Sequence, residues 1–289
     1  MSRNAGSART DRSAVVRELA NKLRQTQRTR QPDSATLVDV DAYQSRKREA
    51  HIPSGISALD SLLPDGGFQK GTIVEWVCDD IGSGAQTLAS LSAARILNHS
   101  RLSPKDREGN EQPLGHNLLV IDAAEDFYPV TAQQLGIDLN KTVVVRPQQS
   151  RSDQQTKNIA HTQPHNNDVL WTLEQALRST AIGITMCAMD HLNSHTFRRL
   201  QLAVQAGGGL CFLRRPATAI RQPTWADIRM HVRSITSDQA WRRLTVELLK
   251  GRSGPIGEQV ELDYHDETND VRLATELANP TAVHRAATA

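Results

Sequence analysis

The chain has 289 residues and a formal net charge of +2 at pH 7. This length fits one large domain with appendages, and a charge so close to neutral excludes a whole-protein field that would force a polyanionic partner. The three cysteines show neither a disulfide framework nor zinc-ligand spacing, so Cys78, Cys187 and Cys211 are predicted to be buried, inert thiols in a reducing compartment.

We expect the protein to act in the cytosol, without membrane contact. Its N-terminus is polar and rich in arginine and lacks the apolar segment of a signal peptide. No stretch of the sequence approaches the ~18 consecutive apolar residues that a transmembrane helix needs.

The first fifty residues hold most of the charge asymmetry, with eleven Lys or Arg against six Asp or Glu and a local balance of +5. Apolar residues spaced three and four apart among basic ones predict an amphipathic helix at residues 12–30, followed by a polar linker to residue 50. This helix is predicted to contact a neighbouring protein, with contact to DNA phosphates and a merely solvated helix as the alternatives. Base stacking is not expected, because no aromatic side chain interleaves with the basic ones. The candidate contact residues are Arg17, Lys22 and Arg24.

Residues 51–264 are predicted to form the folded core. Apolar runs of strand length alternate with helix-length runs, which favours a mostly parallel α/β sheet flanked by helices on both faces. Period-two alternation later in the chain predicts an antiparallel C-terminal extension. Residues 147–167 are expected to form a polar loop and residues 265–289 a flexible tail. Strands are predicted at residues 72–77, 117–121, 142–146, 182–186, 209–213, 228–236, 241–249 and 259–264, and helices at 87–97, 130–135, 169–180 and 194–205.

The most informative segment lies between the first long strand and the helix after it. It has the frame of a nucleotide-binding P-loop, which needs glycines whose N–H groups face phosphate, a Lys for the β- and γ-phosphates, and a Ser or Thr for Mg²⁺. Here Ala85 occupies the Lys position, Gln86 the Ser/Thr position and Asp79 the position of the first glycine, with Asp80 beside it. Losing a charge-assisted hydrogen bond, worth roughly 1.5–3 kcal/mol, predicts loss of tight nucleotide binding.

Part of this loop keeps residues that suit an anion. The N–H groups of Gly82 and Gly84 could form an anion nest, and Thr87, one residue after the Ser/Thr position, could bind a metal. The interpretation that we prefer is a strand-to-helix turn without a ligand, so we predict neither a cofactor nor a metal. The candidate cofactor-binding residues are Gly82, Ser83, Gly84 and Thr87.

Several stretches of the core carry a family resemblance. Residues 51–71 (HIPSGISALDSLLPDGGFQKG) resemble the beginning of a RecA core, and residues 118–138 end in LGID as the corresponding RecA segment does. Residues 197–216 (FRRLQLAVQAGGGLCFLRRP) and 241–254 (WRRLTVELLKGRSG) are similar to segments of ImuA-like proteins. The chain therefore resembles the RecA family, and within it the ImuA-like accessory proteins of bacterial mutagenesis cassettes, over about residues 50–264.

The resemblance implies a RecA-like fold and a role without catalysis, because ImuA-like proteins often lack a working phosphate loop. It implies RecA or a Y-family polymerase-like protein as partner and, through it, an error-prone replicative polymerase complex, with any DNA contact indirect. We therefore predict a non-enzymatic accessory protein of SOS-type translesion synthesis. The alternatives are an ATP-binding recombinase with an atypical loop and a SulA-like cell-division inhibitor.

Two pairs of arginines bracket a predicted helix and strand. Arg198 and Arg199 lie near the start of the helix, where cations gain nothing from its dipole. Arg214 and Arg215 end the strand at the carboxyl edge of the sheet, where open α/β sheets bind ligands. We predict partner or DNA contact for these four residues, with a solvated face of ordinary ion pairs as the alternative.

Three further candidates have simpler interpretations. Asp190 follows an apolar strand as a Mg²⁺-holding acid would, but a helix cap or a turn is preferred. Glu125 lies one residue from the position of the water-activating carboxylate in the RecA family, and such a base needs a bound γ-phosphate. His191 and His195 have the spacing of one helix face, yet the sequence offers no third metal ligand.

Overall fold

The computed structural model describes residues 51–80, 82–102, 114–147, 164–235, 241–252 and 256–274. The predicted basic helix at residues 12–30 lies outside them, as does most of the predicted loop at 147–167, and both stay predictions. Residues 164–167 of that loop are instead the beginning of a helix, so the predicted loop extends too far there. None of the helices in the described ranges is long and apolar enough to cross a bilayer.

A small two-stranded sheet precedes the main one. Its strands β1 (His51–Ile52) and β2 (Phe68–Gln69) pair antiparallel, and α1 (Ser57–Leu62) lies between them in the chain. Nine further strands form one large sheet. These are β3 (Thr72–Cys78), β4 (Asn117–Ile121), β5 (Thr142–Val145), β6 (Ile182–Ala188), β7 (Leu210–Pro216), β8 (Ile228–Ile235), β9 (Trp241–Lys250), β10 (Gln259–His265) and β11 (Val271–Leu273).

The strand order is β11-β10-β9-β8-β3-β7-β6-β4-β5. The strands from β8 to β5 in this order run parallel, whereas β9, β10 and β11 continue the sheet antiparallel. This confirms the predicted mostly parallel α/β sheet with an antiparallel C-terminal extension. One strand differs from the prediction: β8, expected in the antiparallel set, runs parallel to β3 and is antiparallel only to β9, because the long connection after β7 returns it to the same end of the sheet.

Helices cover both faces of the parallel strands, and each face has its own apolar core. One core joins β3, β4, β6 and β7 to α1, to α2 (Ala85–Leu102) and to α3 (Pro129–Gln134). The other joins the opposite face of the same strands to α4 (Pro164–Arg178) and α5 (Ser194–Gly207). Alternate residues of β3 serve the two cores: Val74 and Trp76 face α2, and Ile73 faces α5. Each fully buried apolar side chain stabilises the fold by about 1.5–3 kcal/mol.

Local signals set the ends of α5, which carries two of the candidate arginines. The Asn193 side chain caps the first turn by accepting a hydrogen bond from the Thr196 N–H at 2.8 Å. Gly208 ends the helix in the left-handed conformation, with φ of 74°, and its N–H donates to Val204 O. Both are the residue types that these positions favour.

The first part of the predicted flexible tail is structured. Val271–Leu273 forms β11 and pairs with β10, and Tyr264 Oη donates to Asn269 Oδ1 at 2.7 Å within the turn between these strands. The expectation of a loose tail from residue 265 was therefore wrong for residues 265–274. A three-residue strand gives too short a pattern to be recognised from sequence, and pairing with β10 stabilises it.

Candidate functional site

The candidate site lies where β3 turns into α2, at the carboxyl edge of the parallel strands. Backbone hydrogen bonds close the turn, since Ser83 N–H donates to Asp80 O at 3.2 Å and Leu88 N–H donates to Gly84 O at 2.9 Å. Gly82 and Gly84 both have positive φ, at 95° and 91°, a conformation that glycine adopts without a steric penalty. The sequence-predicted frame of strand, glycine turn and helix is therefore present.

The positions that would bind phosphate and metal hold residues with other contacts. Ala85, the first residue of α2, is 1% exposed and lies in the apolar core on that side of the sheet. The Gln86 side chain donates to Ser90 Oγ at 3.4 Å along the same helix. Neither supplies the cation or the hydroxyl that phosphate and Mg²⁺ require. Thr87, half-buried in the first turn, keeps a hydroxyl at this end of the loop.

Gly84 has a packing reason for lacking a side chain. A Cβ atom at this position would lie 2.6 Å from Leu244 Cδ2, on the antiparallel strand β9. A Cβ atom at Gly82 would meet no described atom within 4 Å. The two glycines therefore share a backbone conformation, but only Gly84 is also required by side-chain packing, which needs no ligand.

Asp79 is fixed at the beginning of the loop by a residue of β8. Its Oδ1 lies 2.7 Å from His231 Nε2. A P-loop has its first glycine at this position, where the chain passes close to phosphate. A carboxylate about 4 Å from a phosphate charge would cost up to about 4 kcal/mol at an effective dielectric constant near 20. The Asp79 charge therefore disfavours a nucleotide in the loop.

Arg214, at the carboxyl end of β7, is already paired. Its Nη2 donates to Asp126 Oδ2 at 2.6 Å, which connects β7 to the loop after β4. That loop is fixed in turn, because Asp122 Oδ1 accepts from the Asp126 N–H at 2.9 Å and Asp122 Oδ2 accepts from Arg146 Nε at 2.9 Å. Burial raises the pKa of the Cys78 thiol, at the end of β3, and the positive charge of Arg214 lowers it by a smaller amount. The positive charge of Arg214, beside the glycine turn, is thus balanced by the carboxylate of Asp126.

Glu125 is exposed, with φ of 55°, and is not the acid that meets this arginine. The neighbouring Asp126 is.

A buried ionic cluster lies on the opposite face of β3, and sequence reasoning missed it. Glu75 is 0% exposed, Arg215 2% and Arg229 4%. Arg229 Nε donates to Glu75 Oε2 at 2.6 Å, and Arg215 Nη1 lies 3.4 Å from Glu75 Oε1. Two guanidiniums and one carboxylate leave a formal charge of +1 in the protein interior.

Burial lowers the pKa of Arg215, which the Glu75 carboxylate opposes and the Arg229 guanidinium reinforces. Arginine still stays charged, because its pKa starts so high. Three nitrogen atoms of the cluster, Arg215 Nε and Nη1 and Arg229 Nη2, have no hydrogen-bond partner among the described residues. The signal for this cluster was a single Glu inside an apolar strand, since a buried carboxylate requires a cation. One of its partners lies 154 residues away, beyond any spacing rule.

Arg198 and Arg199 are exposed on α5 and each has a partner within the protein. Arg199 pairs with Glu174 on α4, which also accepts a hydrogen bond from Arg178 at 2.7 Å. The Arg198 guanidinium lies 5.3 Å from the centre of the Trp225 ring. Their contacts join α4, α5 and the connection between β7 and β8.

The prediction for Arg215 was wrong. This residue was predicted to contact a partner or DNA, but its guanidinium is buried and donates to Gln222 Oε1 at 2.8 Å in addition to facing Glu75. A side chain without exposed surface cannot make that contact, so Arg215 is a structural residue. Alternation along β7 places neighbouring residues on opposite faces of the sheet, which is why Arg214 and Arg215 differ.

Asp190 lies in an exposed bend before α5, which agrees with the turn that the sequence predicts as one of two simple interpretations, whereas the helix cap is Asn193. His191 precedes α5 whereas His195 is within it, so the two do not share a helix face. Within the described ranges, no group of three or more His, Cys, Asp or Glu residues is arranged to hold a metal. The predicted contact residues Arg17, Lys22 and Arg24 lie outside these ranges.

The three thiols are free. Burial raises the pKa of Cys187 to about 12 and that of Cys211 well above its ordinary value. Burial also raises the pKa of Cys78, against the opposing charge of Arg214, although this thiol is only half-buried. Thiolates are the reactive form of cysteine, so a raised pKa opposes reactivity. The predicted burial is present at Cys187 and Cys211 and only partial at Cys78.

Comparison with known proteins supports the RecA part of the resemblance. Protein RecA of Bacillus licheniformis is 31% identical over 104 residues, which are 36% of this chain and 25% of that protein. Protein RecA of Francisella tularensis subsp. novicida is 33% identical over 96 residues, 33% of this chain and 22% of that protein. The chain thus spans about a quarter of the length of the curated relatives it matches. No protein-family profile matches the chain.

Among solved structures, the crystal structure of the RadB recombinase is similar, with a TM-score of 0.52 and 15% identity. The match covers 78% of this chain and 100% of that structure. At an identity this low, the structural match shows that the two proteins share a fold and shows nothing about function. The chain is therefore a distant sequence relative of RecA with the fold of the RadB recombinase.

Proposed function

We propose that this protein is a non-enzymatic accessory protein of the SOS-type DNA-damage response that supports translesion synthesis through protein contacts. Its partners would be RecA or a Y-family polymerase-like protein and, through them, an error-prone replicative polymerase complex. The distant homology to RecA supports the area of function, DNA repair and recombination. The resemblance of residues 197–216 and 241–254 to ImuA-like proteins supports the more specific role.

One observation carries the non-enzymatic part of the proposal. The phosphate loop keeps its backbone frame, but the position of its lysine is a buried alanine, Ala85, and Asp79 holds a negative charge at its start. Phosphoryl transfer depends on positioning and charge stabilisation around the phosphates. A site without its cation, and with an added carboxylate, has lost both contributions.

The direct test is a calorimetric titration of the full chain with ATP and Mg²⁺. We expect no saturable binding tighter than about 1 mM, which corresponds to roughly −4 kcal/mol. The matched variant restores the loop with Asp79→Gly, Ala85→Lys and Gln86→Thr. It is expected to bind more tightly than the natural chain, because a Lys contributes roughly 1.5–3 kcal/mol to such a contact. Micromolar binding and turnover by the natural chain would show an ATPase instead.

The partners are tested by affinity capture with the full chain as bait, in cells with and without DNA damage. RecA or a Y-family polymerase-like protein should be enriched after damage, and each candidate should then bind as a purified protein. Enrichment of neither, in cells that express both, contradicts the partner part of the proposal while leaving the result of the nucleotide titration intact.

A further inference from the structure

Several hydrogen bonds fix the connection between β7 and β8 to the sheet. This connection begins with a 3-10 helix, Ala217–Arg221, and ends at Asp227, whose N–H donates to Ile73 O at 2.9 Å. Ala219, within this 3-10 helix, is fully buried. The Lys250 ammonium donates to Thr224 O at 3.0 Å from β9. These contacts tie the connection to two different strands of the sheet.

The buried ionic cluster lies directly beneath this connection and holds it from below. Arg229 Nη1 donates to Gln222 O at 3.1 Å, and Arg215 Nη2 donates to Gln222 Oε1 at 2.8 Å. Thr224 Oγ1 donates to Glu75 Oε2 at 2.8 Å. Buried ion clusters are rarely the cheapest way to stabilise a fold, because removing charges from water costs several kcal/mol per ion. Because this cluster is hydrogen-bonded to the β7–β8 connection, we infer that its role is to hold that connection in place.

That segment presents an aromatic side chain in a fixed orientation. Trp225 is 43% exposed. Its indole N–H donates to Ser194 Oγ at 2.8 Å, and the Arg198 guanidinium lies over its ring. A rigid, half-exposed Trp beside an Arg has the composition of an interface hot spot. Ile220, at 37% exposure, adds apolar surface on the same connection.

The connection that carries Trp225, together with the residues that contact it, is rich in positive charge. Arg198 and Arg221 are exposed, and Lys250 is half-buried. The buried cluster beneath adds its formal charge of +1, which solvent screens poorly. Burial lowers the pKa of Arg215. The negative charge of Asp190 raises this pKa by a smaller amount, and so offsets part of the positive charge. The remaining charge is complementary to a partner that carries carboxylates.

We propose that the β7–β8 connection is a docking site for an acidic peptide segment of another protein, with an apolar side chain packed on Trp225 and carboxylates paired with Arg198 and Arg221. The inference rests on the proposed function as a docking protein and names the surface that it would use. A protein fits better than a nucleic acid, because phosphate backbones are bound by many cations. Two exposed guanidiniums, one of them already over the Trp225 ring, are too few.

The test is selection of peptides from a random 12-residue display library on the immobilised full chain, followed by anisotropy measurements on the recovered peptides. We expect recovered peptides to be enriched in Asp and Glu around an apolar residue. Trp225→Ala should weaken their binding by about tenfold or more, as for a hot-spot residue. Trp225→Phe should restore most of the affinity, which separates loss of the ring from loss of folding. Trp171→Ala is the matched control, because Trp171 is 66% exposed on α4 and should have no effect.

Peptides without acidic enrichment, peptides that bind Trp225→Ala as well as the natural chain, or a library that yields no binder would each overturn the proposal. A 30-nucleotide single strand that binds in a Trp225-dependent manner would assign the surface to nucleic acid instead. The outcome is separable from that of the proposed function. If the chain binds and hydrolyses ATP, but the recovered peptides are still acidic and still depend on Trp225, the docking site is supported and the non-enzymatic role is contradicted.

Discussion

Two connections at the carboxyl edge of the same sheet, both following parallel strands, have opposite designs. The turn after β3 has the frame of an anion site, but it lacks the phosphate-binding Lys. Asp79 in this turn pairs with His231, and Arg214, at the end of the neighbouring β7, pairs with Asp126. The connection after β7 has no recognised binding motif, yet a buried ionic cluster lies beneath it and it exposes Trp225.

The difference teaches that a retained motif and a retained function are separate matters. A glycine turn costs little to keep, since Gly84 is also required by packing against Leu244. A buried cluster of Glu75, Arg215 and Arg229 is costly, because each ion loses its hydration. The costly feature supports the β7–β8 connection, so we place the functional surface there. Three of the four predictions below test this contrast, and the one on Glu174 tests an ion pair between helices for comparison. They are given in order of the expected change in free energy.

The largest effect is expected from Glu75→Gln. The substitution leaves Arg215 and Arg229 buried together without a carboxylate, and breaking a buried ion pair from one side costs about 3–5 kcal/mol. Urea unfolding followed by circular dichroism measures the loss. The control replaces the whole cluster, Glu75→Leu with Arg215→Met and Arg229→Met, and should recover much of the stability. Equal stability of Glu75→Gln and the natural chain would contradict the buried ionic cluster.

Gly84→Ala should be destabilising by about 2–3 kcal/mol, because the methyl group adds overpacking against Leu244 to the cost of a positive φ. Gly82→Ala is the matched control, with a similar φ of 95° but no described atom within reach. It should cost only about 1 kcal/mol, from the conformation alone. Both variants are compared by urea unfolding, and equal losses would refute the packing role of Gly84.

Glu174→Gln should lower the free energy of unfolding by about 1 kcal/mol at pH 7, since its partners Arg178 and Arg199 are half exposed. Hydrogen bonding by Arg178, and then by Arg199, lowers the pKa of the Glu174 carboxyl against the opposing effect of burial. A lowered pKa in the folded state means that the stabilisation is complete above the ordinary pKa of about 4.3 and is lost as the pH falls below it. Unfolding curves for both proteins from pH 7 to pH 3 should therefore converge at the acid end. A constant difference across this range would contradict the ionic origin.

The smallest effect is expected for the pair of Arg214 and Asp126 in the phosphate-loop region. Its members are 25% and 53% exposed in their side chains, so a double-mutant cycle with Arg214→Gln and Asp126→Asn should give a coupling energy of about 0.2–1 kcal/mol. The coupling should fall further in 1 M salt, where exposed charges are screened. A coupling several times larger would mean that this pair, like the buried cluster, is a costly feature, and would weaken the contrast between the two connections.

Much of the fold could be predicted from the sequence because it is a repeated local pattern. The apolar runs that became β3, β4, β6 and β7 were each located within a few residues, and the helices between them followed from spacing and caps. The exceptions were β8, whose direction depends on where the chain returns, and β11, which is too short to show a period. The RecA part of the family resemblance is supported by distant homology, whereas the ImuA-like branch stays a prediction.

The site was predictable only where its residues are neighbours in the chain. The altered phosphate loop is one continuous segment, so the missing Lys and the added Asp79 could be read directly. The exposure of Arg214 and the burial of Arg215 could not, because adjacent strand residues face different layers and the sequence does not say which layer is covered at that point.

By itself, the sequence determined the alternation of strands and helices, the glycine turn, and the absence of the phosphate-binding lysine from that turn. These are properties of short segments, and local spacing and residue chemistry are enough to specify them. Only the tertiary structure decided that Glu75 meets Arg229 across 154 residues of chain, and that Trp225 is held at the surface above them. Burial and pairing of charges depend on which strands become neighbours, and strand order is a property of the whole sheet.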